Sequence, residues 1–340
     1  MISLVRCGCQ HIIYSRIPFF LRAAHLSPWF YLAIFCIIFT FNSSHQDSKS
    51  ISTPIFIEYK PSIWEAEWLD GIDKWYRDPC KIMLANQNVQ RSKAWVAAMA
   101  ARDYSDSSIF SAYVYNVQGN EVEYAIEPLV GLLRHPFSVA ACTPSSTPTV
   151  HILNTTYMCF RGSELPTFDK MYPGRKYLFD LGLNGPDRSL AWFQQEFGDM
   201  NINFDEVWGW ERTPTNATGF WNGVPAALFS KLHFYNTAVT TLLNHEHPFE
   251  IIKSIYKIGD YIAVKIDIDD PDVERELMDM MLADNSLVSC ISDLFYEMHF
   301  GANLWTAHGI SPEHPEWHLK SVFDLFGAAR KRGIRLHYWV

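Results

Sequence analysis

From about residue 176 onward, short apolar runs alternate with amphipathic segments, so two different periods take turns along the chain. Runs at 177–181, 205–211, 231–235, 261–267, 291–298 and 334–339 have the length and the branched or aromatic content of strands. Between them, Leu190, Phe193 and Phe197 recur at helical spacing within 188–197. Val273, Leu277, Met280 and Met281 do the same within 271–283, where Pro271 sits in the first turn. A further helix is predicted over 319–332 and is stopped by Gly333. Strands alternating with helices predict a doubly wound, mostly parallel sheet covered on both faces, over 171–340.

The stretch 55–170 is less regular. Residues 90–102 have a helical stripe with Trp95, Val96, Met99 and Ala100 on one side, 110–117 looks like a strand, 126–133 is apolar, and 142–148 is a Pro/Ser/Thr loop. These features predict an α+β cap on the fold that follows. Ahead of it, 43–54 is polar and Ser-rich, as a stem would be. Residues 1–42 carry Arg6, Arg16 and Arg22 before the apolar run 29–41, with no acid before Asp47. That order predicts a signal anchor or signal peptide, with membrane contact through an N-terminal helix and the body in the lumen of the ER or Golgi, or secreted. Asn42, Asn154 and Asn216 open glycosylation sequons, which fits that placement.

Composition narrows the function. A net charge of −9 over 340 residues gives no basic face for phosphates and excludes an ordinary nucleic-acid binder. The 12 Trp, 16 Tyr and 23 Phe supply large cores. Of the seven cysteines, none shows a C-x-x-C metal spacing. Cys142 and Cys159 flank the 142–148 loop and are candidates for a disulfide, with Cys80 as competitor. His308, His314 and His318 are loosely spaced with prolines between them, a poor metal pattern, and no metal is expected there.

In a doubly wound sheet the ligand lies beyond the carboxyl ends of the strands, where strand order reverses. The strand ends here are suited to that place. Asp180, Gly182 and Gly185 close the first strand with a turn that lets backbone approach a ligand. Glu211 ends the second strand, where a carboxylate can accept from both hydroxyls of a ribose. Asn236 follows the third and could reach an adenine edge. Asp267, Asp269 and Asp270 crowd the end of the fourth, so some must find donors or a cation, and Asp270 has an alternative use as the cap of the helix opened by Pro271.

The segments Lys176-Tyr-Leu-Phe-Asp-Leu-Gly182, Ser189-Leu-Ala-Trp-Phe193, Phe204-Asp-Glu-Val-Trp-Gly-Trp-Glu211, His233-Phe-Tyr-Asn-Thr-Ala-Val239 and Val264-Lys-Ile-Asp-Ile-Asp269 resemble FkbM-type methyltransferases, in a branch found in plants and algae. The likeness covers roughly 171–340, and 79–102 also looks like that branch's leader region. It implies an S-adenosylmethionine-dependent O-methyltransferase acting on a small-molecule or glycan hydroxyl. It further implies methionine-side contacts from Asp180 and Gly182, ribose contacts from Glu211 and adenine-side contacts near Asn236; Gly185 and Asp267, at the same strand ends, are further candidates for the cofactor site. For the acceptor hydroxyl a general base is useful, and Asp269 and His299, at adjacent strand ends, are the candidates. The glycine turn is one residue tighter than that family's, and Asp270 stands where it has glycine. Two alternatives follow: a methyltransferase-like binding protein without turnover, and a Golgi glycosyltransferase holding a divalent metal on Asp267-Ile-Asp269.

Overall fold

The computed structural model describes residues 54–75, 79–131, 158, 165–186, 188–213, 215–297 and 319–339. Residues 51–340 fold as one compact unit. Its centre is a six-stranded sheet of β4 (Lys176–Leu181), β5 (Glu206–Trp210), β6 (Leu232–Tyr235), β7 (Tyr261–Ile266), β8 (Asp293–Tyr296) and β9 (Arg335–Tyr338). The order is β6-β5-β4-β7-β8-β9, and every pairing is parallel. The chain therefore winds outward from β4 in one direction and then returns to start again at β7. The reversal lies between β4 and β7, which are hydrogen-bonded neighbours from Lys176/Tyr261 to Leu181/Ile266.

The sequence explains why these strands are central. All six residues of β7 are buried, as are five of the six in β4. Parallel strands covered on both faces need such continuous apolar runs. Helix α6 (Ser189–Gly198) uses the stripe expected of it, burying Leu190, Phe193 and Phe197. In α9 (Pro271–Ala283), Leu277 and Met281 are buried as expected, but Glu274 and Met278 are buried in place of Val273 and Met280, which are half-buried. In α11 (Leu319–Lys331), Val322, Phe323, Leu325, Phe326 and Ala329 face inward. Phe193 packs within ring-contact distance of Phe197, Phe295 and Trp339, so α6 is keyed to the β8–β9 half of the sheet.

The cap is a three-stranded antiparallel sheet, β1 (Ile55–Lys60), β2 (Ser111–Val117) and β3 (Asn120–Ile126), in the order β1-β2-β3. With it go α1 (Ile63–Asp70), α2 (Ile72–Trp75), α3 (Pro79–Met83) and α4 (Asn86–Ala101), the last burying Trp95 as predicted. Strands β1 and β3 were not foreseen; of the apolar stretch at 126–133 only Ile126 belongs to β3. The remaining helices are α5 (Leu165–Met171), α7 (Ala217–Gly223), α8 (Pro248–Ile255) and α10 (Asn285–Val288).

One expectation about architecture is corrected. Among the described residues no helix is long and apolar enough to cross a membrane, so the membrane anchor does not stand as part of the fold. The run 29–41 that suggested it lies outside the described residues, as do Cys142, Cys159, Asn42, Asn154 and the 142–148 loop. Asn216 is described and exposed, and its side chain caps α7 by accepting from the N–H groups of Thr218 and Gly219.

Candidate functional site

A cavity of about 360 Å³ opens at the carboxyl ends of the strands, over the β4/β7 reversal. Its wall takes one or more residues from beyond every strand of the sheet: Gly182 after β4, Glu211 after β5, Thr237 after β6, Asp267 and Asp269 after β7, Glu297 after β8 and Trp339 after β9. This is where a doubly wound sheet binds its ligand. The volume is at the lower end of the roughly 300–1,000 Å³ typical of ligand pockets.

The floor is built around a buried ion cluster. Lys265, on β7, is 2% exposed, and Asp180, on β4, is fully buried. Lys265 Nζ donates to Asp180 Oδ1 at 3.1 Å, to Asp267 Oδ2 at 2.9 Å and to the Gly182 carbonyl at 3.2 Å. Asp180 Oδ2 accepts from Ser189 Oγ at 2.5 Å, at the first residue of α6. Trp339 Nε1 donates to the same Oδ2 of Asp267 at 3.0 Å. Burial disfavours the charge on Lys265, but Asp180 and Asp267 outweigh it and hold the ammonium more firmly than usual. Burial likewise works against Asp267, and Lys265 overcomes it, so this carboxylate sits below its ordinary range. Lys265 is thus a fixed cation and has no role as a base.

This arrangement redistributes the residues singled out from the sequence. Gly182, Glu211, Asp267 and Asp269 line the cavity. Asp180 does not: it is sealed beneath the wall, where it holds Ser189 and Lys265. Gly185 is also absent from the lining, although its φ of +99° shapes the turn. Asn236 is used to brace two loops. Its Nδ2 donates to the carbonyls of Glu211 and Thr213 at 2.7 and 2.8 Å, and its Oδ1 accepts from Thr215 N–H at 3.1 Å, which leaves Thr237, Ala238 and Val239 to face the cavity. His299, Cys80's side chain and the histidines at 308, 314 and 318 lie outside the described residues. Asp270 caps α9 with an acceptor toward Val273 N–H and is 3.7 Å from Arg212.

Gly182 is required by the fold as well as by any ligand. Its φ is +100°, and a Cβ there would overlap the carbonyl oxygen of Asp267. The β4 turn thus presses against the end of β7 while its N–H, with that of Leu183, takes the Trp210 carbonyl of β5. Glu211 projects beyond β5, anchored through its N–H to the Tyr235 carbonyl. One carboxylate oxygen accepts from Thr213 N–H.

Sequence reasoning missed Lys265 as the hub, along with Arg188, Trp339 and Glu297 on the wall. Lys265 was visible as a lone charge in an otherwise apolar β7. Glu297, Asp267 and Asp269 can bring one oxygen each within 4.8 Å of one another, a cation-seeking group. Behind the Asp267–Asp270 loop, Glu274 is fully buried on α9, and its Oε1 accepts from Ile268 N–H at 2.8 Å. Burial, reinforced by Asp267 and Asp269, pushes the Glu274 carboxyl up to about 8. No family model, curated protein or solved structure matches the chain.

Proposed function

We propose that the cavity binds S-adenosylmethionine and that the chain transfers its methyl group to a hydroxyl acceptor. The observation that carries this reading is the joint placement of Glu211 and the Gly182 turn on one wall at the strand reversal. It agrees with the FkbM-type resemblance of the same segments. The fit is chemical as well as geometric. Glu211 offers an acceptor for ribose hydroxyls, the cavity falls in the ordinary range of ligand pockets, and Asp267, Asp269 and Glu297 suit a ligand that carries positive charge.

The cofactor would supply an already activated methyl on sulfur, so the protein's work is alignment and proton removal. Asp267 is engaged by Lys265 and Trp339 and serves to position. Asp269 is exposed at the cavity and is the better candidate to take the proton as the acceptor oxygen forms its bond to carbon and the carbon–sulfur bond breaks. Its φ of +55° turns it off the line of β7 toward the opening.

Calorimetric titration of S-adenosylhomocysteine tests the reading. A carboxylate bonded to ribose hydroxyls is worth roughly 1.5–3 kcal/mol per charge-assisted bond, so Glu211→Gln should weaken binding about tenfold or more with the fold unchanged. Equal affinities would make Glu211 a bystander, and no binding to the wild type would end the methyltransferase reading. Binding of a nucleotide sugar only with manganese would instead move the site to glycosyl transfer, the reading that the Asp267/Asp269/Glu297 grouping favours.

A further inference from the structure

A second ionic cluster lies away from the cavity, between the cap and the β8–β9 side of the sheet. Among the described residues its charged side chains are Glu65 on α1, Glu127 just past β3, Asp293 on β8, Arg330 on α11, and Arg335 and His337 on β9, each at most 4% exposed. Arg335 holds Asp293 through two bonds, Nε to Oδ1 at 2.7 Å and Nη2 to Oδ2 at 2.6 Å, and donates to Tyr172 Oη at 2.8 Å. Tyr261, on β7, also donates to Asp293. Arg330 donates to the Leu336 and Glu127 carbonyls at 2.8 Å each, to Tyr59 Oη of β1 at 2.9 Å and to Glu127 Oε1 at 3.4 Å. Glu65 stands 3.7 Å from Arg330 and accepts from Tyr59, Ser111 and the Leu129 N–H.

His337 closes this cluster. Its Nδ1 is 2.8 Å from Glu127 Oε1 of the cap, and its Nε2 is 3.3 Å from Asp293 Oδ1 of the sheet. The ring is fully buried and stacks on Phe295. A carboxylate oxygen only accepts, so two such neighbours require a donor on both nitrogens, and only the imidazolium has one on each. Among the described groups around it, Tyr113 and Tyr115 of β2 are buried phenols whose burial holds their protons well above the ordinary range, and the Tyr124 ring of β3 lies under Arg335. Among the described residues, three carboxylates then face two guanidinium groups and one imidazolium. Burial alone would strip the proton from His337, but Glu127 and Asp293 outweigh it and raise its affinity for the proton.

We propose that His337 is a proton-dependent clasp between cap and sheet: charged, it bridges Glu127 to Asp293, and neutral, it leaves one of these buried carboxylates facing a lone pair. The neutral ring can donate to one side only. Asp293 keeps its bonds from Arg335 and Tyr261 and Glu127 keeps that from Arg330, but one of the two loses the bond and the charge of the imidazolium, which is destabilising in a buried site. The cap should therefore come loose from β8 and β9 before the rest of the sheet opens as pH rises. The sign follows from linkage. A histidine that binds its proton more tightly when folded contributes stability in full below its ordinary value of 6.5 and loses it as pH rises through the folded value. Within that window the opening constant grows by up to about tenfold per pH unit.

The test uses the full chain with ¹⁵N-labelled histidine. The His337 ring, assigned by its loss in His337→Gln, should show both nitrogens protonated at pH 7.5, where an exposed histidine is mostly neutral. Between pH 6.5 and 9, amide exchange corrected for its intrinsic pH dependence should accelerate in β2 and β3 by about tenfold or more, relative to β4 and β5. If His337→Gln does not fold, Glu127→Gln serves instead and should make the ring titrate at lower pH. A neutral tautomer at pH 7.5, or exchange that rises equally in cap and central strands, would overturn the proposal.

Discussion

At the scale of single residues, the site shows how one position can answer to two constraints. Gly182 permits a ligand to approach the β4 turn, yet its left-handed φ and the Asp267 carbonyl already forbid any side chain. Gly182→Ala should therefore destabilise the protein by about 3 kcal/mol or more, since backbone strain and a backbone clash add. Gly209→Ala should cost less, because there the new methyl would meet the side chain of Leu183 and not backbone. Urea denaturation of both variants gives the order, and a milder effect at Gly182 would contradict this account. What the sequence revealed at this scale was residue type and place after a strand, which was enough for Glu211, Asp267 and Asp269. It did not reveal whether a polar group was already spent. Asn236 has the amide an adenine edge would want, but that amide is fully engaged with Glu211, Thr213 and Thr215, and Asp180 is closed over by Ser189 and Lys265. Such pairings join positions 9 to 85 residues apart, and no local pattern reports them.

At the scale of elements, periodicity served well where burial was two-sided and poorly where it was not. The six strands of the parallel sheet were all foreseen, because continuous apolar runs leave little else for them to be. In the cap, β3 alternates exposed Glu121 and Glu123 with Val122 and Tyr124, and the turn before it places Gln118 and Gly119 at positive φ. That pair is the mark of a tight hairpin, and it was the available signal for β3, one of the two cap strands missed. The lone charge in β7 makes the strongest element-level prediction. Lys265→Met keeps the length of the side chain but leaves Asp180 and Asp267 without their shared cation, which should cost roughly 3–5 kcal/mol. Combining it with Asp180→Asn should recover part of that loss, because one of the stranded charges is then removed. Additive losses in a double-mutant cycle would show that the two side chains are not coupled.

At the scale of the whole molecule, groups in and beside the two buried clusters set how stability depends on acidity, and within each neighbourhood they pull in opposite directions. Asp267 and Asp293 bind protons less tightly when folded, so their contribution is present above the ordinary 3.8 and is lost as pH falls through their lower folded values. Glu274 behaves the other way. Its folded carboxyl titrates near 8 against an ordinary 4.5, so the folded state is favoured below 4.5 and loses ground as pH rises from there to about 8. His337 adds a second loss that begins near 6.5. A net charge of −9 adds general repulsion on the alkaline side. Stability should therefore peak on the acid side of neutrality, near pH 4–5, and decline toward pH 9 in two overlapping limbs. Each limb has its own variant. Glu274→Gln keeps the shape and the acceptor for Ile268 N–H without a group to ionise, so it should flatten the decline from its start near pH 4.5. Its advantage over the wild type should grow by up to about 1.4 kcal/mol per pH unit up to about pH 8. His337→Gln should leave that first limb in place and remove only the part above 6.5. Urea midpoints measured from pH 3.5 to 9 on the three proteins separate the limbs, and a wild-type maximum at or above pH 8 would show that neither buried group is held as this structure holds it.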